Sequence, residues 1–137
     1  MIDVQMFLDK YPDNIFSQYI YAFCLFIKTN ILRGETEDYQ EPLNRMLEIY
    51  KIFKKNDFVL SHPTDGIALR GIFGLIPNLY YLTGEGEKGL EFVKYNKHNF
   101  CANGTYDCLN ARILTQIGNG FYQSLDYENA LEIINLI

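Results

Sequence analysis

Three stretches of this chain carry the same short frame. Asp38-Tyr39-Gln40-Glu41-Pro42-Leu43 and Asp126-Tyr127-Glu128-Asn129-Ala130-Leu131 share Asp, Tyr and Leu at matching places, and Glu85-Gly86-Glu87-Lys88-Gly89-Leu90 fits between them. The steps are 47 and 41 residues. Each step spans two segments whose apolar residues recur at three- and four-residue intervals, the spacing of amphipathic helices. A helical pair cannot bury both of its apolar faces alone, so copies stack on one another. The chain is therefore expected to be all-α: stacked antiparallel helical hairpins, about three of them after a short N-terminal helix, in a single domain over residues 1–137. The hairpins fall near 15–55, 66–97 and 105–137.

Local signals fit this division. Val4, Phe7, Leu8 and Tyr11 mark a short first helix, which Pro12 stops and after which Asp13 or Asn14 can cap the next. Phe16, Tyr19, Ile20, Phe23, Phe26 and Ile27 then make a helix apolar around most of its circumference, closing near Arg33-Gly34. The acidic run Glu35-Thr36-Glu37-Asp38 suits the start of a helix carrying Leu43, Met46, Leu47, Tyr50 and Phe53, with Pro42 in its first turn. Ile67 to Thr83 reads as another helix, which Pro77 is expected to kink or split. After the turn Gly84-Glu85-Gly86 comes a shorter helix ending near Lys97, and stripes at Tyr106–Phe121 and Ala130–Ile137 make the last pair.

Composition narrows the function. A net charge of −5 disfavours a phosphate-binding surface, so no nucleic-acid partner is expected. The basic run Lys51, Lys54, Lys55 reads as the solvated end of a helix. The most apolar window, Ile15 to Leu32, is interrupted by Ser17, Gln18, Lys28, Thr29 and Asn30, which disfavours a membrane span. Three cysteines, with Cys24 read as a small buried side chain, and no basic n-region before an apolar core suggest a cytoplasmic protein.

The last hairpin resembles a tetratricopeptide repeat. With Ala130 at that family's small-residue position, Phe121 falls at its aromatic site, Gly118 where its two helices pack closely, and Ile117 and Leu114 at its large apolar positions. Pro12-Asp13-Asn14 is similar to its inter-repeat boundary, with Ala22 then at the small position. In the middle unit Gly89 and Tyr80 match, but Pro77 stands where a small non-proline residue belongs. The first unit has about eight extra residues at its turn, and both steps exceed the family's usual 34 residues. The resemblance implies an α-solenoid whose first helices line a concave groove for a protein or peptide. On those helices lie Tyr19, Tyr21, Tyr80, Tyr81 and Tyr122, and in pairs such as Tyr80-Tyr81 and Phe121-Tyr122 only one member can face the core. The partner-binding residues expected are Tyr19, Asn30, Arg70, Asn78, Tyr81, Arg112, Gln116, Asn119 and Tyr122.

Chemistry-bearing groups are few. His98, Cys101 and Cys108 lack the tight paired spacing of a zinc site, and no metal or cofactor is expected. Asn103-Gly104-Thr105 matches a glycosylation sequon but reads better as a turn. Asp65, Glu85, Glu87 and His62 suit turn and cap roles, so no enzyme is expected. One alternative is a fragment of an α/α-toroid enzyme, in which Asp65 and Glu85 or Glu87 would share a pocket. Another is a sensor or oligomerisation domain of a larger regulator. The apolar ending Ile133-Ile134-Asn135-Leu136-Ile137 has no polar capping helix after it, which points to a longer protein or to a homo-oligomer formed through the C-terminal helix.

Overall fold

A computed structural model describes residues 2–32, 36–96, 115, 117–122 and 125–135. Among these the regular structure is helical throughout and no strand occurs. The helices are α1 (Ile2–Lys10), α2 (Ile15–Ile31), α3 (Gln40–Lys55), α4 (Asp65–Leu82), α5 (Gly86–Tyr95) and α6 (Tyr127–Ile134). A short 3-10 turn, Thr36–Tyr39, leads into α3, and residues 117–122 are helical.

Three helices begin at a side chain that satisfies backbone N–H groups. Asn14 caps α2 by accepting from the Ser17 backbone N–H at 3.0 Å, while the buried Ser17 hydroxyl donates to the Tyr11 carbonyl at 2.7 Å and ties α1 to α2. Asp65 opens α4, and its buried carboxylate accepts from the backbone N–H groups of Ser61 and His62, both at 3.0 Å. Asp126 caps α6 by accepting from the Asn129 N–H at 3.3 Å.

The two later hairpin turns are copies of one another. At the end of α4, Glu85 N–H donates to the Tyr80 carbonyl at 2.7 Å and Gly84 N–H to that of Tyr81 at 3.0 Å, with Gly84 at φ 83°. Forty-one residues on, Asp126 N–H donates to the Phe121 carbonyl at 2.9 Å and Leu125 N–H to that of Tyr122 at 3.0 Å, with Leu125 at φ 66°. This nested pair of bonds satisfies the last carbonyls of a helix through one left-handed residue. The recurrence of the turn at the sequence step is structural support for the repeat.

Helix contacts follow chain order with one skip: α1 on α2, α2 on α3, α3 on α4, α4 on α5, and α2 directly on α4. The core they enclose includes Ala22, Leu43, Met46, Ile49, Phe53, Ala68, Ile72, Ile76, Leu79 and Val93. Ile49 takes the inward place on α3, and Leu47 and Tyr50 are half-buried at its edges. Helix α4 runs unbroken through Pro77, so the proline does not split it. Pro77 is buried, and its turn serves as a seat for α5: a Cβ added at Gly89 would lie 2.9 Å from the Pro77 carbonyl oxygen. The third pair is likewise close, because a Cβ at Gly118 would lie 3.2 Å from Cγ2 of Ile133 in α6.

The α2–α4 contact turns on another glycine. Tyr19 lies in the core with the hydroxyl end of its ring against α4 at Gly71, where any side chain would meet the ring. Gly71→Ala is expected to destabilise by about 1–3 kcal/mol through overpacking. In a Tyr19→Ala background the same change is expected to be neutral or to stabilise by up to about 1 kcal/mol, from the better helix propensity of alanine. A double-mutant cycle by urea unfolding reads the coupling, and equal costs in both backgrounds would show that the ring does not set this spacing.

Candidate functional site

The leading helices of the expected hairpins touch in succession, α2 to α4 and α4 to residues 117–122. Helix α4 meets α2 through Gly71 and Tyr19, and it meets the helical residues 117–122 through Tyr81 and Phe121, whose rings stand edge-on at 6.0 Å. Along one side α4 carries Ile67, Arg70, Gly74 and Asn78, turned away from its buried face as their helical spacing requires. Arg70 and Ile67 are exposed and Asn78 is half-buried.

The expected binding residues are distributed unevenly over this row. Arg70, Asn78 and Tyr81 share the outward side of α4. Asn119 and Tyr122 are exposed on the next leading segment, where Tyr122 rests on Tyr127 with ring centroids 5.5 Å apart. Asn30 is exposed at the end of α2, and its amide oxygen accepts from the Tyr39 hydroxyl at 2.7 Å. Tyr19 belongs to the core instead, because Gly71 leaves a slot into which its ring fits. Burial raises its phenol pKa. Arg112 and Gln116 lie outside the described residues.

Two clefts accompany the row. On α2 an apolar cleft of about 440 Å³ is lined by Phe23, Cys24, Ile27, Lys28, Ile31 and Leu32. Cys24 is thus partly exposed in a cleft, not sealed in the core. On the other side, the trailing helices α3 and α5 flank a groove of about 750 Å³ whose walls include Tyr50, Lys54, Tyr80, Phe92, Tyr95 and Asn96. Tyr50, Lys54 and Tyr80 also border an adjoining hollow of about 530 Å³ along α3.

That second groove was not anticipated from the sequence. Its aromatic floor is built from Tyr50 and Phe92, edge-on at 4.9 Å. The wholly buried Asn96 amide locks it, donating to the Tyr50 hydroxyl at 3.1 Å and to the Phe92 carbonyl at 3.0 Å. The Lys54 ammonium, exposed in the last turn of α3, sits 4.9 Å above the Tyr95 ring. Burial raises the Tyr80 pKa; nearby Lys88 opposes this, and Glu85 and Tyr50 add to it. The signal in the sequence was the pairing of Tyr50 with Lys54 at helical spacing, one turn apart.

The carboxylates stay apart. Asp65 starts α4 and Glu85 follows its far end, so an 18-residue helix of roughly 27 Å separates them. Glu87 accepts from the Asn129 amide at 2.6 Å, an inter-hairpin tie. Among the described residues no group of three or more His, Cys, Asp or Glu is placed to hold a metal ion, and no helix is long and apolar enough to cross a membrane. His98, Cys101, Cys108 and the Asn103 sequon lie outside the described residues. No protein-family model, curated protein or solved structure matches this chain.

Proposed function

We propose that the protein is a non-enzymatic scaffold whose hairpins stack as a short, tetratricopeptide-like α-solenoid and hold a peptide segment against the row of leading helices. The observation that carries this reading is the alignment of α2, α4 and residues 117–122 through the Tyr19–Gly71 and Tyr81–Phe121 contacts. Arg70, exposed, and Asn78, half-buried, stand on α4 beside these contacts. The amide of Asn78 can donate to and accept from an extended backbone, and Arg70 can pair with a carboxylate. The exposed Tyr122 and Asn119 continue the surface. Its apolar end is the α2 cleft around Phe23 and Ile27.

The test is to pan the purified chain against a displayed random-peptide library and measure the recovered sequences in solution. Related peptides are expected, and the Arg70→Ala/Asn78→Ala double variant is expected to weaken them roughly ten- to hundredfold, the loss of two polar contacts. Lys54→Ala, on the opposite groove, is expected to leave them unchanged. Enrichment of no related sequences, or affinity lost with Lys54→Ala and kept in the double variant, would remove the leading-helix row as the site.

A further inference from the structure

Helices α3 and α5 bring charged side chains of both signs to the groove they flank. Lys54 comes from α3, and Lys88, Glu91 and Lys94 come from α5. Two of the lysines are already committed: Lys88 pairs with Glu85 at 3.2 Å, and Lys94 pairs with Glu132. Lys54 and Glu91 form no ion pair with any described residue, nor with each other. Helical spacing fixes their relation. Glu91 stands one turn before Tyr95 on α5, and the Lys54 ammonium reaches across from α3 to lie 4.9 Å from the centre of the Tyr95 ring. One positive and one negative charge thus occupy neighbouring turns of a single groove. Its floor is aromatic and already fixed, because the buried Asn96 amide donates to the Tyr50 hydroxyl at 3.1 Å and Tyr50 stands edge-on to Phe92. A floor locked in advance loses little freedom when a ring is laid on it. The groove, about 750 Å³, has the size and the mix of apolar walls with a few convergent polar groups that mark small-molecule sites.

We propose that this groove binds a free aromatic amino acid as its zwitterion. The carboxylate of the ligand meets the Lys54 ammonium, its α-ammonium meets the Glu91 carboxylate, and its ring lies on Tyr50 and Phe92. An α-amino acid carries two opposite charges a short, fixed distance apart beside one side chain, which is the pattern these residues present. An aromatic acid would leave Glu91 without a partner, and an aromatic amine would leave Lys54 without one. An internal peptide segment has neither backbone charge, so this ligand class is distinct from the peptide assigned to the leading helices.

Three ligands that share one ring test this: L-tryptophan, indole-3-propionate, which lacks the amine, and tryptamine, which lacks the carboxylate. In an NMR titration of the nitrogen-labelled 137-residue chain, L-tryptophan is expected to give saturable shifts at the end of α3 and along α5. A dissociation constant of roughly 0.1–1 mM suits a ligand of this size. Each analogue is expected to bind roughly five- to tenfold more weakly, the loss of one charged contact. Lys54→Met should lower L-tryptophan to the level of tryptamine and leave tryptamine unchanged. Glu91→Gln should lower it to the level of indole-3-propionate and leave that analogue unchanged. Both residues are exposed, so the helical circular dichroism should be retained; should a variant unfold, the three ligands on the parent chain decide alone. Absence of saturation, an analogue as tight as L-tryptophan, shifts confined to the α2 cleft around Phe23, or affinity unmoved in either folded variant would each overturn the proposal.

Discussion

Gly89→Val is expected to destabilise the protein by about 3 kcal/mol or more, the larger end of what overpacking costs. The position is helical and lacks any unusual backbone angle, so the requirement for glycine comes from proximity alone. A Cβ there would lie 2.9 Å from the Pro77 carbonyl oxygen and 3.3 Å from both the Pro77 Cα and the Tyr80 Cβ. Two of those three neighbours are backbone and cannot swing away as a side-chain end can. Separating α4 from α5 would also disturb Phe92 and Val93, which are buried beside this contact. Gly120 provides the contrast, because a Cβ there meets nothing within 4 Å. Gly120→Ala is expected to stabilise by about 0.5–1 kcal/mol, the ordinary gain of alanine over glycine in a helix. Urea unfolding of the three proteins reads the difference. A Gly89→Val variant within 1 kcal/mol of the parent would show that the α4–α5 spacing is not set by this glycine.

The same pair of residues shows how much of the fold was legible in the sequence. The repeat frame put Gly89 at a close-contact position and Pro77 at a break, because local rules price an internal proline by the hydrogen bond it removes. The helix continues because Pro77 fills buried space, and α5 packs against its turn. That compensation is tertiary and leaves no mark on the local pattern. Caps and turns were legible for the opposite reason: Asn14 and Gly84 act on backbone groups within a few residues. Adjacent-residue logic also held at Phe121, buried, and Tyr122, exposed.

The candidate site was less legible. Periodicity assigns a side chain to a helix face but not to the neighbour that face will meet. Tyr19 therefore went to the groove, although the absent side chain at Gly71 draws it into the core. Tyr80 and Tyr81 are both half-buried, one in the trailing-helix groove and the other on Phe121, so the choice of one inward partner did not arise. The groove around Tyr50, Tyr80 and Asn96 joins residues 46 positions apart, a distance no local reading spans.

Phe53→Ala is the other change with a large expected effect, about 3–5 kcal/mol. Phe53 is 1% exposed in the last turn of α3 and is among the largest fully buried side chains. Its carbonyl also anchors the turn that follows: Phe58 N–H donates to it at 2.8 Å, with Asp57 at φ 52° and Phe58 at φ 59°. Two successive left-handed residues without glycine are unfavourable by roughly 1–2 kcal/mol each. The Phe58 ring offsets that cost by packing 6.1 Å from both Tyr50 and Phe73. Emptying the Phe53 site removes buried apolar contacts, while the backbone carbonyl that anchors the turn stays in place. Phe53→Leu, which keeps most of the volume, is expected to cost less than half as much. Phe7→Ala, at a position 42% exposed on α1, is expected to cost less than about 1 kcal/mol. Thermal and urea unfolding of the three variants should rank them Phe53→Ala, Phe53→Leu, Phe7→Ala. If Phe7→Ala proved as costly as Phe53→Ala, the packing centre would have to lie at α1 and not where α3 lies between α2 and α4.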